Sequence, residues 1–210
     1  MISSPLSNII SNPLAGIVFI LAIVLAISVH ECAHAWTAWK LGDQTPLLDG
    51  RVTLNPASHI DPIGALLFLF LGFGYGRPVV YNPMRLHRKI DELLVALAGP
   101  ASNILLALIF NIFIAIEIHT GTNFIDTSIL GLVVLVNLSL AAFNMIPIPP
   151  LDGSSIVAYF WPEYRSIVGG QLGIVFLLLI LILPGNFLGS IINPIINTFS
   201  WISTLFGLIH

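Results

Sequence analysis

Charge is scarce in this chain: of 210 residues 8% are charged, seven Lys or Arg against ten Asp or Glu, for a net charge of −3. That leaves a soluble globule too little polar surface to cover itself, so a water-exposed fold is excluded. The few basic residues are not interleaved with aromatics in any patch, which removes nucleic acid as a partner. Cysteine is limited to Cys32, so no intrachain disulfide can form and the cysteine content says nothing of redox compartment. No internal repeat of fixed period is present. Residues 1–12 carry no basic start, and the apolar run after them continues too far for a cleaved leader, so it is expected to stay as a membrane span.

What is abundant is hydrocarbon. The chain is 57% hydrophobic, with a mean hydropathy of +0.99. Stretches near the length of about 20 residues needed to span a bilayer lie at 14–39, 93–116, 129–147 and 171–190, with shorter or interrupted ones at 62–75 and 188–209. The expected fold is an α-helical polytopic membrane protein of about five to six transmembrane or re-entrant segments. Residues 1–210 form one membrane-embedded domain, with a core over about 15–160 and C-terminal hydrophobic segments over about 171–209. All seven basic residues, Lys40, Arg51, Arg77, Arg85, Arg88, Lys89 and Arg165, fall between apolar segments. If 62–75 is a re-entrant hairpin they share one side, which the positive-inside rule makes cytosolic.

Between the first two long segments the pattern changes. TPLLDGRVTLNP (Thr45 to Pro56) sets an Asp49-Gly50 pair between short apolar runs and predicts a β-hairpin. RPVVYN (Arg77 to Asn82), fenced by Gly76 and Pro83, predicts a second extended stretch. Bare strand edges cannot face lipid, so a small sheet is expected at the cytosolic side, where its edge would suit an extended peptide.

The chemistry begins at HECAH, His30 to His34, inside the first long segment. Histidines at i and i+4 lie on one helical face one turn apart and can share a zinc ion. Glu31 points about 100° around the helix, within reach of a water on the metal, and Cys32 points to the far side. Three ionisable groups within five residues of a transmembrane helix each cost a few kcal/mol at about the bilayer centre and rarely persist without a role. The two histidines precede Lys40 by about 15 and 9 Å of helix, so the site is submerged but shallow. Catalytic zinc takes three protein ligands and one open position. Asp152, just past the break imposed by Pro147, Pro149 and Pro150, is the best third candidate, and His59 the runner-up. An Asp-Gly turn or a helix N-cap is the structural alternative for Asp152, and a simple hydrogen-bonding role for His59.

HECAH together with NMIPIPPLDG (Asn144 to Gly153) resembles the signatures of the site-2 proteases, intramembrane zinc metalloproteases with HExxH and a distant N-x-x-P-x-P-x-x-D-G-like motif. DGRVTLNPASHIDPIG (Asp49 to Gly64), GRPVVYNP (Gly76 to Pro83) and LAGPASN (Leu97 to Asn103) are similar to the compact prokaryotic members, so the resemblance covers about residues 15–160. It implies His30, His34 and Asp152 as ligands of one Zn2+, Glu31 as general base and Asn144 as an active-site polar residue. It also implies transmembrane protein substrates, a prokaryotic cell membrane with the site toward the cytosol, and the type without PDZ or CBS domains. Cys32 and Ala33 depart from the family's usual choices between the ligands, on the face turned away.

The expected reaction is peptide hydrolysis by a zinc-activated water, with Glu31 moving the proton and Asn144 donating to the oxyanion or the substrate backbone. Asn137, seven residues earlier on nearly the same face, extends a polar lining or bonds a neighbouring helix, and Asn103 is expected to be structural. Gly99 and Pro100 are expected to set close packing or a bend. A transporter of zinc or another ion is the main alternative, and a catalytically silent binding protein the third.

Overall fold

The structure is a computed structural model that describes residues 12–71, 76–122 and 124–182, together with positions 190, 194, 197 and 198. Among these residues three helices are long and apolar enough to cross a membrane: α1, Pro13–Lys40; α4, Lys89–Thr120; and α5, Thr127–Asn144. At 1.5 Å per residue they measure about 42, 48 and 27 Å, against a hydrocarbon core of about 30 Å. Shorter helices are α2, Thr45–Leu48; α3, Pro62–Leu71; α6, Asp152–Phe160; α7, Tyr164–Val168; and α8, Gln171–Ile182.

Local sequence sets the ends. Asn12 caps α1 by accepting the Ala15 N–H at 3.2 Å, with Pro13 in the first turn. The N–H of Arg88 donates to Asp91, whose other oxygen takes the Arg88 guanidinium, and this closes the start of α4. Gly121, at φ +68°, ends it in the left-handed conformation. Asp126 caps α5 through the Ser128 N–H, and α5 stops at Asn144, three residues before Pro147.

Close approach of the three long helices rests on small side chains. Ala22, Ala26, Ala35, Ala38, Ala96, Ala107, Ala141 and Ala142 are all buried, the pattern expected where lipid supplies no hydrophobic drive between helices. Leu14, Ile17, Leu21 and Leu25 of α1 and Leu105, Ile112, Phe113 and Ile116 of α4 are exposed instead. The apolar surface is on the outside, as a bilayer requires. At the far end of α1, Lys40 Nζ sits 4.1 Å over the Trp39 ring beside an exposed Trp36, the composition of a membrane interface. Pairs between Arg165 and Glu92 (2.8 Å) and between Arg85 and Asp43 (3.8 Å) tie the neighbouring segments at this same end.

The predicted β-hairpin is not there: among the described residues there is no strand, only an isolated bridge between Ile60 and Gly76. Thr45–Leu48 is helical, prepared by Pro46 in its first turn and by Asp43, which accepts from the Thr45 N–H and hydroxyl. A type I′ hairpin needs positive φ at both central residues, but Asp49 has φ −79° and only Gly50 is positive, at +65°. The Asp-Gly pair closes a helical turn, with Arg51 N–H donating to Pro46 O at 2.8 Å. Residues 77–82 form no strand or ladder, and of them Asn82 has extended dihedrals (φ −104°, ψ 106°). Helix α3 has ten residues, about 15 Å, too short to cross. The turn of the proposed re-entrant hairpin at 72–75 and the segment beyond 182, including most of 188–209, lie outside the described residues.

Candidate metal centre

His30 and His34 project from α1 into its contact with α4. His30 Nδ1 lies 2.7 Å from Asn103 Oδ1, and His34 Nδ1 lies 2.7 Å from the Val95 carbonyl, both on α4. Each Nδ1 faces an acceptor, so it carries the ring proton and leaves the Nε2 lone pair free, the arrangement that orients metal-binding imidazoles. The Asn103 amide is itself fixed: its Nδ2 donates to Ala26 O at 3.0 Å and to Asn137 Oδ1 at 2.9 Å. Asn137 Nδ2 in turn donates to Val133 O at 2.8 Å. This chain admits one set of amide orientations, and it ends with an oxygen toward His30. Asn103, expected to be structural, also sets the tautomer of His30, with Asn137 behind it.

Asp152 meets the histidines from the other side. The prolines after α5 turn the chain back, and Asp152 opens α6, where the helix N-terminus favours an anion. Its Oδ2 is 3.1 Å from His30 Nε2 and 3.3 Å from His34 Nε2, and the two Nε2 atoms are 3.0 Å apart. Among the described residues, His30, His34 and Asp152 are the one set of three or more His, Cys, Asp or Glu able to hold a metal.

The set fits zinc. Tetrahedral bonds of about 2.0–2.1 Å separate ligand atoms by about 3.3 Å, close to the observed spacings. With both Nδ1 atoms protonated, buried Asp152 Oδ2 faces two lone pairs and has no hydrogen-bond partner, an arrangement that a shared cation relieves. Gly99 leaves the room: a Cβ there would stand 2.3 Å from His34 Nε2 and 2.6 Å from His30 Nε2.

Glu31, half-buried and beside the histidines, is not in the ligand set. Its Oε2 accepts the Val79 N–H at 3.1 Å, so residues 76–82 run as a strap along α1. An added Cβ on Gly76 would stand 3.3 Å from Ile27 Cγ2, and the Asn82 N–H donates to Asp43 at 2.6 Å. Burial, then the Glu92 charge, raises the pKa of the Tyr81 phenol, which keeps it a donor beside this end of the site. Asn144 Nδ2 bonds back to Leu140 O at 3.0 Å in its own helix. His59, the runner-up ligand, does not join the set: it is fully buried with Nε2 2.7 Å from Thr53 O, and its carbonyl accepts the Arg77 N–H at 2.7 Å. It holds the root of the strap.

Comparison with known proteins finds similarity to proteins named as zinc metalloproteases. The family model described as peptidase family M50 matches residues 115–183, which include Asn144 and Asp152. A Bacillus subtilis protein named "Putative zinc metalloprotease YwhC" is 39% identical over 147 residues, 66% of this chain and 66% of its own length. A Mycobacterium tuberculosis protein named "Putative zinc metalloprotease Rip2" is 30% identical over 215 residues, 92% of this chain and 76% of its own. The Methanocaldococcus jannaschii protein named "Putative zinc metalloprotease MJ0611" is 30% identical over 160 residues, 74% and 76% of the two chains. The chain thus spans just under two thirds of the length of the Bacillus relative. No solved structure matches it.

Proposed function

We start from the fact that the chain belongs to the site-2 proteases of peptidase family M50, and we propose that it is an intramembrane zinc metalloprotease hydrolysing peptide bonds of transmembrane substrates. The observation that carries this reading is the convergence of His30 Nε2, His34 Nε2 and Asp152 Oδ2 within 3.3 Å, next to a carboxylate that is not among them. When bound by these three, zinc supplies Lewis acidity toward the scissile carbonyl and lowers the pKa of the attacking water.

Every other part of the reaction falls to the chain. Glu31 has one oxygen on the Val79 N–H, which leaves the other to take the water proton and deliver it to the leaving amine. The C–N bond breaks without a covalent enzyme intermediate. Asn144, at the end of α5 and eight residues before Asp152, is assigned to the substrate backbone or to the charge that develops on its carbonyl oxygen. A substrate helix hides its carbonyls in i to i+4 bonds, so it must unwind to be cut, and extended pairing along 77–82 would hold the unwound piece. The whole of 1–210 acts as one membrane-embedded unit. The basic end of the bundle faces the cytosol of a prokaryotic cell and carries the site.

The test is cleavage of a panel of single-span membrane proteins by the purified chain and by Glu31→Gln, with zinc quantified in both. The variant should keep its zinc and lose about 10²- to 10⁴-fold in rate, the range of general base catalysis. Undiminished cleavage by Glu31→Gln would sink the mechanism. Zinc flux in liposomes without cleavage would favour a transporter.

A further inference from the structure

Arg51 belongs to none of the roles above, yet it is one of the most costly residues in the molecule. Its side chain is 6% exposed, and among the described residues no carboxylate lies within 4 Å of it. A buried guanidinium without an ion-pair partner is retained only where its hydrogen bonds do something. Both of the bonds described for it are to the strap: Nη2 donates to the Arg77 carbonyl at 2.5 Å and to the Pro78 carbonyl at 2.6 Å. The next residue, Val79, is the one whose N–H holds Glu31.

We propose that Arg51 is a positioning residue for Glu31, acting through the backbone of residues 77–79. This deepens the protease reading and rests on it. Arg51 is firmly based: its own N–H donates to Pro46 O in the turn closed by Gly50. The Pro78 carbonyl and the Val79 N–H belong to one peptide plane, so a grip on the Arg77 and Pro78 carbonyls fixes the direction of the Val79 N–H. Asp43 holds the Asn82 N–H at the other end, and His59 O holds the Arg77 N–H at the root. The strap is thereby pinned on both sides of Val79. Glu31 receives a fixed donor on Oε2 and presents the same free oxygen at every turnover. The guanidinium is the member of this set that lies next to the contact itself.

Arg51→Met keeps the length and apolar bulk of the side chain and removes the grip. In the full-length chain, kcat should fall about 10- to 100-fold, the cost of a slightly misplaced catalytic group, with KM and bound zinc unchanged. Arg51→Lys, which restores a donor but not the fork, should recover part of the loss. Val79→Pro removes the same N–H, so it should lower kcat similarly and add little to Arg51→Met. An increase in KM alone, a zinc loss that accounts for the activity loss, or a rise in kcat overturns the proposal. Amide exchange over residues 77–82 supplies an arm independent of cleavage. Faster exchange in both Arg51→Met and Glu31→Ala supports the strap, and wild-type exchange in Arg51→Met overturns it. If the wild-type chain cuts nothing, the protease reading fails while the exchange measurement still decides the role of Arg51.

Discussion

Helix α4 carries buried polar residues at both ends of its membrane passage, and they do different work. In its first half, Gly99 and Asn103 face the two histidines. Near its finish, Glu117 is 7% exposed and spends one oxygen on the N–H groups of Phe124 and Ile125, at 3.1 and 3.0 Å. A carboxylate buried at membrane depth is by default a functional candidate, and Glu117 shows where that default misleads. Its described partners are local backbone donors, and the bonds close the short connection between α4 and α5. At the other end His30 and His34 of α1 and Asp152 of α6 bring three ligand-type atoms within 3.3 Å of one another. Convergence of lone pairs, rather than burial of a charge, separates the site from the scaffold.

Exchanging the two carboxylates is the sharpest way to break this comparison. Asp152→Asn should abolish zinc binding and cleavage together, because it takes from the set the anion that two imidazoles surround. Glu117→Gln should keep both, since an amide oxygen can still accept the two N–H groups, and should cost stability by about 1 kcal/mol. Zinc content per chain and thermal unfolding read the two effects separately. If Glu117→Gln lost its zinc, the division between the two ends of α4 would fall.

The glycines give a smaller contrast on the same lines. Gly99→Ala would put a methyl 2.3 to 2.6 Å from ring atoms of His34 and His30, so zinc affinity should drop steeply while the bundle stays folded. Gly131→Ala, in α5 with nothing within 4 Å of the new methyl, should leave zinc binding intact and gain about 0.5–1 kcal/mol of helix stability. Titration of the apo proteins with zinc measures one, and unfolding measures the other.

What the sequence made legible follows from how far each signal travels along the chain. His30 and His34 are one helical turn apart, so their pairing needs only the helix period. Asp152 needs only the prolines that stop α5 and the requirement for a third ligand. Asn103 is different. Its partner His30 is 73 residues away, and an asparagine that orients a histidine has the same local context as one that merely ties helices together. The only trace of its role was its place four residues after Gly99, on the same face of α4. Arg51 was equally silent, because its acceptors are backbone carbonyls, which no residue type announces. The missing hairpin has another cause: an Asp-Gly pair serves either a type I′ turn or the end of a helical turn. Pro46 and the bonds from Asp43 to Thr45 decided for the helix.

The finest contrast is between two aspartates at opposite ends of the molecule. Asp43 is fully buried under the strap. Burial acts to raise its pKa, but the Asn82 N–H, the Thr45 hydroxyl and N–H, and the Arg85 charge outweigh this and leave it below the ordinary 3.8. Asp126, exposed at the start of α5, is also lowered, by the Ser128 hydroxyl and N–H. A carboxyl whose folded pKa is depressed contributes stability that is fully present above its unfolded value and is lost as pH falls through its folded value. Both effects are therefore flat above about pH 4 and fade below it. Asp43 should carry the larger share, because its protonation releases the Asn82 N–H and loosens the strap from a buried position, whereas water replaces what Asp126 gives up. Protection of the 77–82 amides, taken relative to intrinsic exchange at each pH, should fall below about pH 4 in the wild-type chain. It should do so equally in Asp126→Asn, and lose that pH dependence in Asp43→Asn. An acid response that followed Asp126 would mean that the strap is pinned from somewhere other than Asp43.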